Sequence, residues 1–477
     1  MRELLITLDK TKKQKYQALA EGLRLSIKQG KVRPGERLPS SRDLARIFKM
    51  HRHTVMTALA ELEAEGWIVS KTKRYYQVTE TLPDTFLRSR PSLQSFALPR
   101  QAIKVVRSAP DLDFVPVNSF KHSFPSGFPD VRLFPMKEFK SLMSDALTAK
   151  GVLNYGDPAG YPMLLKEIKD YLRRVRNVDG REVIVTNGSQ EALFFLAQAL
   201  IAPGDKIAVE ALGYPPALST FQYAGGKLVP ITVDKEGLCV DELEEKLKKQ
   251  KIKFLYLTPL HQYPTTVTLS AERRLKLYEL ALKYGMLIIE DDYDHEFHFV
   301  SQPVAPLASF DPAGIVLYIS TFSKILFPSA RVGFMAVPEI FGKEIAKLKR
   351  ISSRQNEQIL QVAIALWMKS GGFEKHLRKM RRIYEERKKA MIEDLQRWQK
   401  LYPRISWAEP DGGMALWLEL SVNTTRFAQK MKSKSILVAP EQSYRVDGKS
   451  GTHVRLGFSG FSPEENRASL KALFTAE

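Results

Sequence analysis

The sequence predicts an α/β protein with a mainly parallel sheet, preceded by a small basic helical domain. From about residue 116, short apolar runs alternate with longer amphipathic stretches, as strands alternate with helices in α/β folds. Residues 1–80 follow a helical pattern and hold 17 Lys or Arg against 9 Asp or Glu. A stretch without periodicity separates the two parts and contains Pro83, Pro91, Pro99 and Pro110. We therefore expect domains at 1–80 and 116–477, a linker at 81–115, and a smaller C-terminal subdomain from roughly residue 371.

The composition limits the class of protein. The chain has 477 residues, 44% of them hydrophobic, and a net charge of +20 that is densest near its start. No apolar run is long enough to cross a bilayer, and the first residues do not resemble a signal peptide. The single cysteine, Cys239, excludes an internal disulfide and a zinc site built from cysteines. These features lead us to expect a protein of the reducing cytoplasm.

The first domain is predicted to be a winged helix-turn-helix. Periodicity, a serine cap at Ser40 or Ser41 and the end signal at Gly66 predict helices at 16–29, 42–48 and 52–65. Aromatic and β-branched residues then predict a two-stranded hairpin at 67–69 and 75–78. Two helices joined by a tight turn and followed by a β-ribbon are typical of a DNA-binding domain whose second helix of the pair enters the major groove.

Side chains at the start of the third helix would face base edges, and basic side chains nearby would bind phosphates. The candidates for contact with DNA are Ser41, Arg42, Arg46, Arg52, His53, Thr54, Thr57, Lys73 and Arg74. The alternative is a small helical dimerisation module with a solvated basic face.

This segment resembles the GntR family of bacterial regulators. The resemblance lies in residues 33–45 (Arg-Pro-Gly-Glu-Arg-Leu-Pro-Ser-Ser-Arg-Asp-Leu-Ala), 52–55 and 62–66. It implies a domain that binds double-stranded operator DNA. One departure is that the family's wing usually carries glycines, whereas residues 71–76 contain none.

Lys324 is the strongest candidate for covalent chemistry. Apolar runs at 315–319 and 331–337 predict two buried strands. A lysine between core strands is unfavourable unless it has a partner or a covalent task. The hydroxyls of Thr321 and Ser323 and the guanidinium of Arg331 suit a phosphate. A lysine beside a phosphate site is what a Schiff base with pyridoxal phosphate requires. The alternative is a surface lysine in a loop.

An acidic cluster follows another predicted strand at 286–289. Asp291 could keep a pyridine nitrogen protonated, and Tyr293 could hydrogen-bond the hydroxyl of the same ring. A solvated turn and a divalent-metal site built from hard oxygen ligands are the alternatives.

Three further positions suit the same ligand. Residues 186–193 join a strand to a helix, where free amides and the Ser189 hydroxyl could bind an anion or simply cap the helix. Tyr214 could stack on a cofactor ring, or only pack. Arg455 lies in an apolar strand and could bind a carboxylate, with a structural salt bridge as the alternative.

Together these stretches resemble the fold type I aminotransferases over nearly all of residues 116–477. The resemblance implies pyridoxal phosphate on Lys324, Asp291 at the pyridine nitrogen and Tyr293 near the ring hydroxyl. Residues 128–130, 133–135 and 155–161 also match the family. The remaining residues that it assigns to the phosphate, the cofactor or, for the last, an amino-acid carboxylate are Gly188, Ser189, Gln190, Tyr214, Tyr263, Thr321, Ser323, Arg331 and Arg455.

The loop at 261–266 departs from that family. Many of its enzymes have Asn-Pro-Thr-Gly there, whereas this chain places Tyr263 at the asparagine and Thr266 at the glycine. Its His-Gln-Tyr-Pro is similar to the loop of MocR-type regulators, in which a GntR domain is fused to an aminotransferase-like body. The resemblance implies a homodimeric regulator, head-to-tail and domain-swapped. It would sense a small amine or amino acid, or pyridoxal phosphate itself, through aldimine chemistry at Lys324. There are two alternatives. One is an active aminotransferase with an appended DNA-binding domain, and the other is a scaffold protein that has lost the cofactor.

Overall fold

The computed structural model describes residues 14–71, 75–83, 119–125, 127–300 and 304–475. The chain divides into two compact units, Met1–Ile103 and Lys104–Glu477. The predicted linker lies outside the described residues except for 81–83, and so do the predicted DNA contacts Lys73 and Arg74. Within the described part, no helix has the length and apolar character needed to cross a membrane.

The first unit is a three-helix domain with a β-hairpin, as predicted. Its elements are α1 (Lys15–Lys28), α2 (Ser41–Ile47), α3 (Arg52–Ala64), β1 (Ile68–Lys71) and β2 (Tyr75–Val78). The Ser40 hydroxyl caps α2 by accepting a hydrogen bond from the Asp43 amide at 3.2 Å. Val55, Leu59 and Leu62 are fully buried at helical spacing, which anchors α3 and leaves its other face exposed.

The second unit is built from alternating strands and helices. Its strands are β3 (His122–Ser123), β4 (Glu182–Thr186), β5 (Lys206–Glu210), β6 (Lys227–Ile231), β7 (Val233–Asp234), β8 (Gly237–Leu238), β9 (Phe254–Leu257), β10 (Leu287–Asp291), β11 (Val316–Thr321), β12 (Gly333–Val337), β13 (Ser406–Trp407), β14 (Ala415–Glu419), β15 (Ile436–Leu437), β16 (Ala439–Pro440) and β17 (His453–Gly457). Its α-helices are α4 (Met136–Ala146), α5 (Pro162–Tyr171), α6 (Ser189–Leu200), α7 (Pro215–Tyr223), α8 (Val240–Lys249), α9 (Ala271–Tyr284), α10 (Glu339–Ser352), α11 (Gln358–Lys369), α12 (Gly372–Leu401), α13 (Thr424–Ser433) and α14 (Pro463–Thr475).

A seven-stranded sheet forms the centre of this unit, in the order β4-β12-β11-β10-β9-β5-β6. All neighbouring strands are parallel except that β12 runs antiparallel to both of its neighbours. Alternate residues face two separate apolar clusters: Val183 and Val185 belong to one, and Ile184 to the other. The sheet is therefore buried on both faces, as its continuous apolar strands predict.

One predicted strand begins later than expected. The sequence indicated a strand from residue 331, but Arg331 adopts a left-handed conformation with φ of 50° and β12 begins at Gly333. The short helical turn Pro328–Ala330 ends at this residue, so Arg331 belongs to the connection that precedes the strand.

A smaller antiparallel sheet, in the order β13-β14-β17-β16, follows the long helix α12. Arg455 occupies the middle of β17, opposite Trp417 on one side and Ala439 on the other. An apolar cluster that includes Met391, Leu416 and Leu456 joins this sheet to α12. This arrangement places a cationic side chain inside an otherwise apolar layer.

Candidate functional site

A cavity of about 110 Å³ lies where the parallel strands of the large sheet end. Because β12 is antiparallel, its first residues reach the same edge as the last residues of β10 and β11. The lining residues are Gly127, Ser189, Gln190, Tyr214, Tyr256, Thr258, Tyr263, Asp291, Tyr293, Thr321, Ser323, Lys324 and Arg331. The fold thus brings together ten of the predicted cofactor residues, which are scattered over more than 140 positions of the sequence.

Lys324 ends the helical turn Phe322–Lys324, directly after β11. Its Nζ donates to the carbonyl oxygen of Gly127 at 2.8 Å and lies 6.0 Å from the centroid of the Tyr293 ring. Burial lowers the pKa of the amine to about 8, against the opposing effect of Asp294 and Asp291. Near neutral pH, the amine is therefore far more often uncharged than that of an ordinary lysine, which is the form that attacks an aldehyde.

Asp291 ends β10 and is only 4% exposed. The Tyr256 hydroxyl donates to its Oδ2 at 3.0 Å, whereas Oδ1 has no hydrogen-bond partner among the described residues. Burial raises the pKa of the carboxyl to about 7, although the Tyr256 hydrogen bond acts in the opposite direction. A buried carboxylate oxygen without a partner beside a cavity fits the protonated ring nitrogen of pyridoxal phosphate.

The start of α6 and Arg331 form the side of the site that suits a phosphate. Gly188 precedes α6 with φ of 80°, and no side chain caps the helix, so the first amides of α6 are not engaged by a cap. A Cβ at Gly188 would lie 2.7 Å from Nη2 of Arg331, so a larger residue would displace that guanidinium. Arg331 Nη2 donates to the Asn187 carbonyl oxygen at 2.7 Å, and the hydroxyls of Thr321 and Ser323 lie 2.9 Å apart.

Gln190 is less free to bind a phosphate than the other residues that were predicted to do so. Its amide nitrogen donates to the Thr220 hydroxyl at 2.8 Å, while its carbonyl oxygen has no partner among the described residues. The side chain lines the cavity but its donor is already engaged by α7.

Four tyrosines surround the opposite side of the cavity. The ring of Tyr263 contacts those of Tyr214, Tyr444 and Tyr293 edge-on, with centroids 5.3, 5.5 and 6.0 Å away. The Tyr293 hydroxyl donates to the carbonyl oxygen of His261 at 3.0 Å. This cluster encloses the part of the cavity that lies towards the C-terminal subdomain.

Arg455 is fully buried and does not line the cavity. Its Cζ lies 4.1 Å from the centroid of the Tyr263 ring. None of its three guanidinium nitrogens forms a hydrogen bond of regular geometry in the part of the chain that the structure describes. Although burial acts to lower the pKa of this guanidinium, the neighbouring side chains of Tyr293, Tyr263 and Tyr444 raise it. Since the described residues supply no carboxylate partner, the structural salt bridge considered above has no support, and an external anion suits the site better.

The acidic cluster after β10 is buried and internally paired. Asp292 Oδ2 lies 2.6 Å from Nη2 of Arg176 and accepts a hydrogen bond from the Tyr318 hydroxyl. In the described ranges, no group of three or more His, Cys, Asp or Glu could hold a metal ion. Neither the solvated turn nor the metal site considered above describes this cluster.

Sequence reasoning missed Tyr256, Thr258, Gly127 and Glu210. Glu210 ends β5 in complete burial, and its Oε2 accepts from the Thr258 hydroxyl at 2.9 Å. Burial raises the pKa of the Glu210 carboxyl to about 7. A polar residue at the end of an apolar strand was the available signal for Tyr256, Thr258 and Glu210.

The predicted DNA contacts that the structure describes lie on the surface of the first unit. Arg42, Arg46, Arg52 and His53 are exposed, while Ser41, Thr54 and Thr57 are partly exposed. Arg52 Nε donates to the Ser41 hydroxyl at 3.3 Å, which links the start of α3 to α2. Arg46 pairs with Asp43 at 2.5 Å.

Comparisons with known families and proteins agree with these two units. Residues 125–473 match the family model of aminotransferase class I and II, and residues 15–77 match that of bacterial regulatory proteins, gntR family. A probable rhizopine catabolism regulatory protein MocR of Rhizobium meliloti is 30% identical over 97% of this chain and 93% of its own length. An uncharacterised aminotransferase of Saccharolobus solfataricus is 33% identical over 78% of this chain and 95% of its own length.

Solved structures show the same fold for the second unit. The kynurenine aminotransferase of Pyrococcus horikoshii, solved in complex with PMP, matches with a TM-score of 0.70 and 26% identity. The match covers 82% of this chain and 97% of that enzyme.

Proposed function

The chain belongs to the aminotransferase class I and II family and carries a gntR-family DNA-binding domain, and from this premise we propose that it is a MocR-type regulator whose body senses an amino compound. Its cofactor is pyridoxal phosphate, as its family and structural neighbours indicate. The observation that carries the sensing proposal is Lys324, whose amine has a pKa lowered by burial to about 8 and shares a cavity with Asp291, one of whose carboxylate oxygens has no partner among the described residues. When bound, the cofactor supplies an aldehyde that condenses reversibly with primary amines.

The residues of the chain suit distinct parts of cofactor and effector. Gly188, Ser189, Thr321, Ser323 and Arg331 would hold the phosphate through amides, hydroxyls and a guanidinium. Asp291 would hold the ring nitrogen, and Lys324 would hold the aldehyde carbon. An effector amine would release Lys324, and its carboxylate would engage Arg455.

Such an exchange would change the charges inside the cavity. Release of Lys324 adds an amine within reach of Asp291 and Asp294, while a carboxylate would neutralise Arg455. Because Arg455 belongs to β17 and Lys324 to the turn that follows β11 of the large sheet, an effector that releases Lys324 and engages Arg455 would favour one arrangement of the two sheets. We propose that this preference is transmitted to DNA binding.

The test follows the cofactor and the DNA in the same samples. The full chain, saturated with pyridoxal phosphate, is titrated with amines and amino acids, and the cofactor's absorption spectrum and the affinity for DNA upstream of its gene are recorded. We expect one class of amine to change both over the same concentration range. The variant Lys324→Ala should lose the response of DNA affinity, and a response equal to that of the wild type would contradict the proposal. Alternatively, the cofactor level is itself the signal, and pyridoxal phosphate alone would then change DNA affinity without any amine.

A working aminotransferase is the second candidate, because Lys324 lines one cavity with Asp291 and Arg331 and a 33% identical relative is named an aminotransferase. Many turnovers of an amino donor with a 2-oxo acid acceptor would favour this function. Spectral change without steady production of an oxo acid would favour the sensor.

We further propose that the chain forms a homodimer with a head-to-tail arrangement. Leu153, Tyr155 and Ile351 are 76%, 78% and 84% exposed. The guanidinium of Arg354 lies 4.2 Å from the Tyr155 ring, so these residues form one partly apolar patch. We expect Ile351→Glu to shift the mass measured by light scattering from dimer to monomer. A monomeric wild type would contradict this inference.

A further inference from the structure

The position of Tyr263 over Arg455 is the feature that the proposed function leaves unexplained. Tyr263 lines the cavity, whereas Arg455 has no exposed surface and lies behind that lining. The guanidinium Cζ is 4.1 Å from the ring centroid, within the range of a cation–π contact. The cation that suits a carboxylate is thus covered by an aromatic ring that faces the cavity.

The covered guanidinium has tyrosines around it but no carboxylate among the described residues. Burial of a guanidinium is unfavourable unless anions or acceptors surround it, and none of the three nitrogens of Arg455 forms a hydrogen bond of regular geometry with the residues described. Its electrostatic support comes from Tyr293, Tyr263 and Tyr444. The face of one ring replaces only part of the lost hydration. A carboxylate would instead form two charge-assisted hydrogen bonds with the guanidinium. A ligand that carries a carboxylate therefore gains by displacing the ring, and an amine without one does not.

The main chain around Tyr263 is firmly held, so its side chain is the part that can move. Its amide donates to the Thr258 hydroxyl at 2.8 Å, and that hydroxyl donates to the buried Glu210 at 2.9 Å. The Gln262 side chain donates to the carbonyl oxygens of Leu212 and Tyr263, both at 2.7 Å. The ring itself is held by edge contacts with other tyrosines, which a change of rotamer can exchange.

We propose that Tyr263 is a gate over Arg455 and determines effector specificity: its ring gives way to a carboxylate and stays closed for a plain amine. The inference rests on the proposed function, because it requires an amine-bearing effector in this cavity. It names the effector class as amino carboxylates. It also assigns a role to the tyrosine that stands where many related enzymes have asparagine.

The test compares ligands that differ only in the carboxylate: glycine with methylamine, β-alanine with ethylamine, and γ-aminobutyrate with propylamine. Dissociation constants come from the absorption change of the cofactor-loaded full chain. For each pair, the ratio of the amine constant to the amino-carboxylate constant measures the contribution of the carboxylate. Because the ring no longer competes, Tyr263→Ala is expected to raise this ratio about tenfold for the pair whose length fits. Any effect of the substitution on the cofactor itself acts on both ligands of a pair and cancels in the ratio.

Two further variants separate the gate from a general effect on the site. Tyr263→Phe keeps the ring and should keep the wild-type ratio. Arg455→Gln should bring the ratio close to one and abolish the effect of Tyr263→Ala, since the two residues act together. If Tyr263→Ala loses the cofactor, Tyr263→Asn provides the same comparison with a small polar side chain.

An unchanged or lower ratio in Tyr263→Ala would overturn the gate. A rise that persists after Arg455→Gln would overturn it as well, and so would a changed ratio in Tyr263→Phe. A wild-type spectrum that responds to no amine and no amino carboxylate would refute the proposed function together with this inference.

Discussion

Replacing Asp291 by asparagine is expected to weaken the binding of pyridoxal phosphate about 10- to 100-fold. The Oδ1 atom of Asp291 has no partner among the described residues, so the substitution breaks no protein contact there. The amide oxygen of asparagine can still accept the Tyr256 hydroxyl, which now donates to Oδ2 at 3.0 Å. What is lost is a charge-assisted hydrogen bond to the ring nitrogen, worth about 1.5–3 kcal/mol.

The same substitution should stabilise the protein when the cofactor is absent. Burial raises the pKa of Asp291 from 3.8 to about 7, so the folded protein binds a proton more tightly here than the unfolded chain does. Its contribution to stability is therefore present at acid pH and lost as pH rises from about 4 to 7. Three pKa units correspond to about 4 kcal/mol, which is an upper bound on the gain in the free energy of unfolding that Asp291→Asn gives at pH 8.

Two measurements test this reasoning. Equilibrium titration of the cofactor-free protein with pyridoxal phosphate gives the affinity, and urea unfolding at pH 5 and pH 8 gives the stability. Asp241, whose side chain is 89% exposed and pairs with Lys276 at the surface, provides the matched control. Asp241→Asn should leave the affinity for the cofactor unchanged and alter the free energy of unfolding far less than Asp291→Asn does, because an exposed ion pair contributes little to stability. If Asp291→Asn bound the cofactor as tightly as the wild type, with no gain in stability at pH 8, the assigned position of Asp291 would be wrong.

Three further outcomes are expected. Borohydride reduction of cofactor-saturated protein should fix a pyridoxyl group on Lys324, visible by peptide mass spectrometry, and an unmodified Lys324 would refute its role. The variant Arg52→Ala should weaken operator binding roughly tenfold in a gel-shift assay without changing the cofactor spectrum, and unchanged affinity would remove Arg52 from the contacts. Arg176→Ala should lower the free energy of unfolding by about 3–5 kcal/mol in urea, because it leaves Asp292 buried and unpaired, and a loss below about 1 kcal/mol would contradict this. Burial acts to raise the pKa of Asp292, but Arg176 holds it at about 2. In the wild type, the stabilisation by the Arg176–Asp292 ion pair should therefore be present above about pH 4 and lost as pH falls towards 2.

Local signals were sufficient for the fold class. Helix caps and apolar spacing predicted α1, α2 and α3 to within one residue at each end. These elements agree with their tertiary contacts, so local preference and packing favour the same boundaries. The strand at β12 was placed too early because φ of Arg331 depends on the turn that precedes it.

Lys324, Asp291 and Arg455 were found because each is a polar residue at or within an apolar strand, where burial needs an explanation. Tyr256 and Glu210 belong to the same class, but an aromatic residue and a terminal glutamate in a strand do not by themselves suggest a ligand. Their roles follow from neighbours that are distant in sequence: Tyr256 lies 35 positions before Asp291, and Glu210 lies 48 positions before Thr258.

By itself, the sequence determined the two-part architecture, the family and the lysine on which the cofactor chemistry depends, because each is encoded in short contiguous patterns. Only the tertiary structure decided that Tyr263 covers Arg455, that Asp291 has an unpartnered oxygen among the described residues and lines the cavity, and that Asp292 pairs with Arg176. These facts depend on which strand ends meet at one edge of the sheet. That edge is assembled from residues up to hundreds of positions apart, and no local pattern specifies the distances between them.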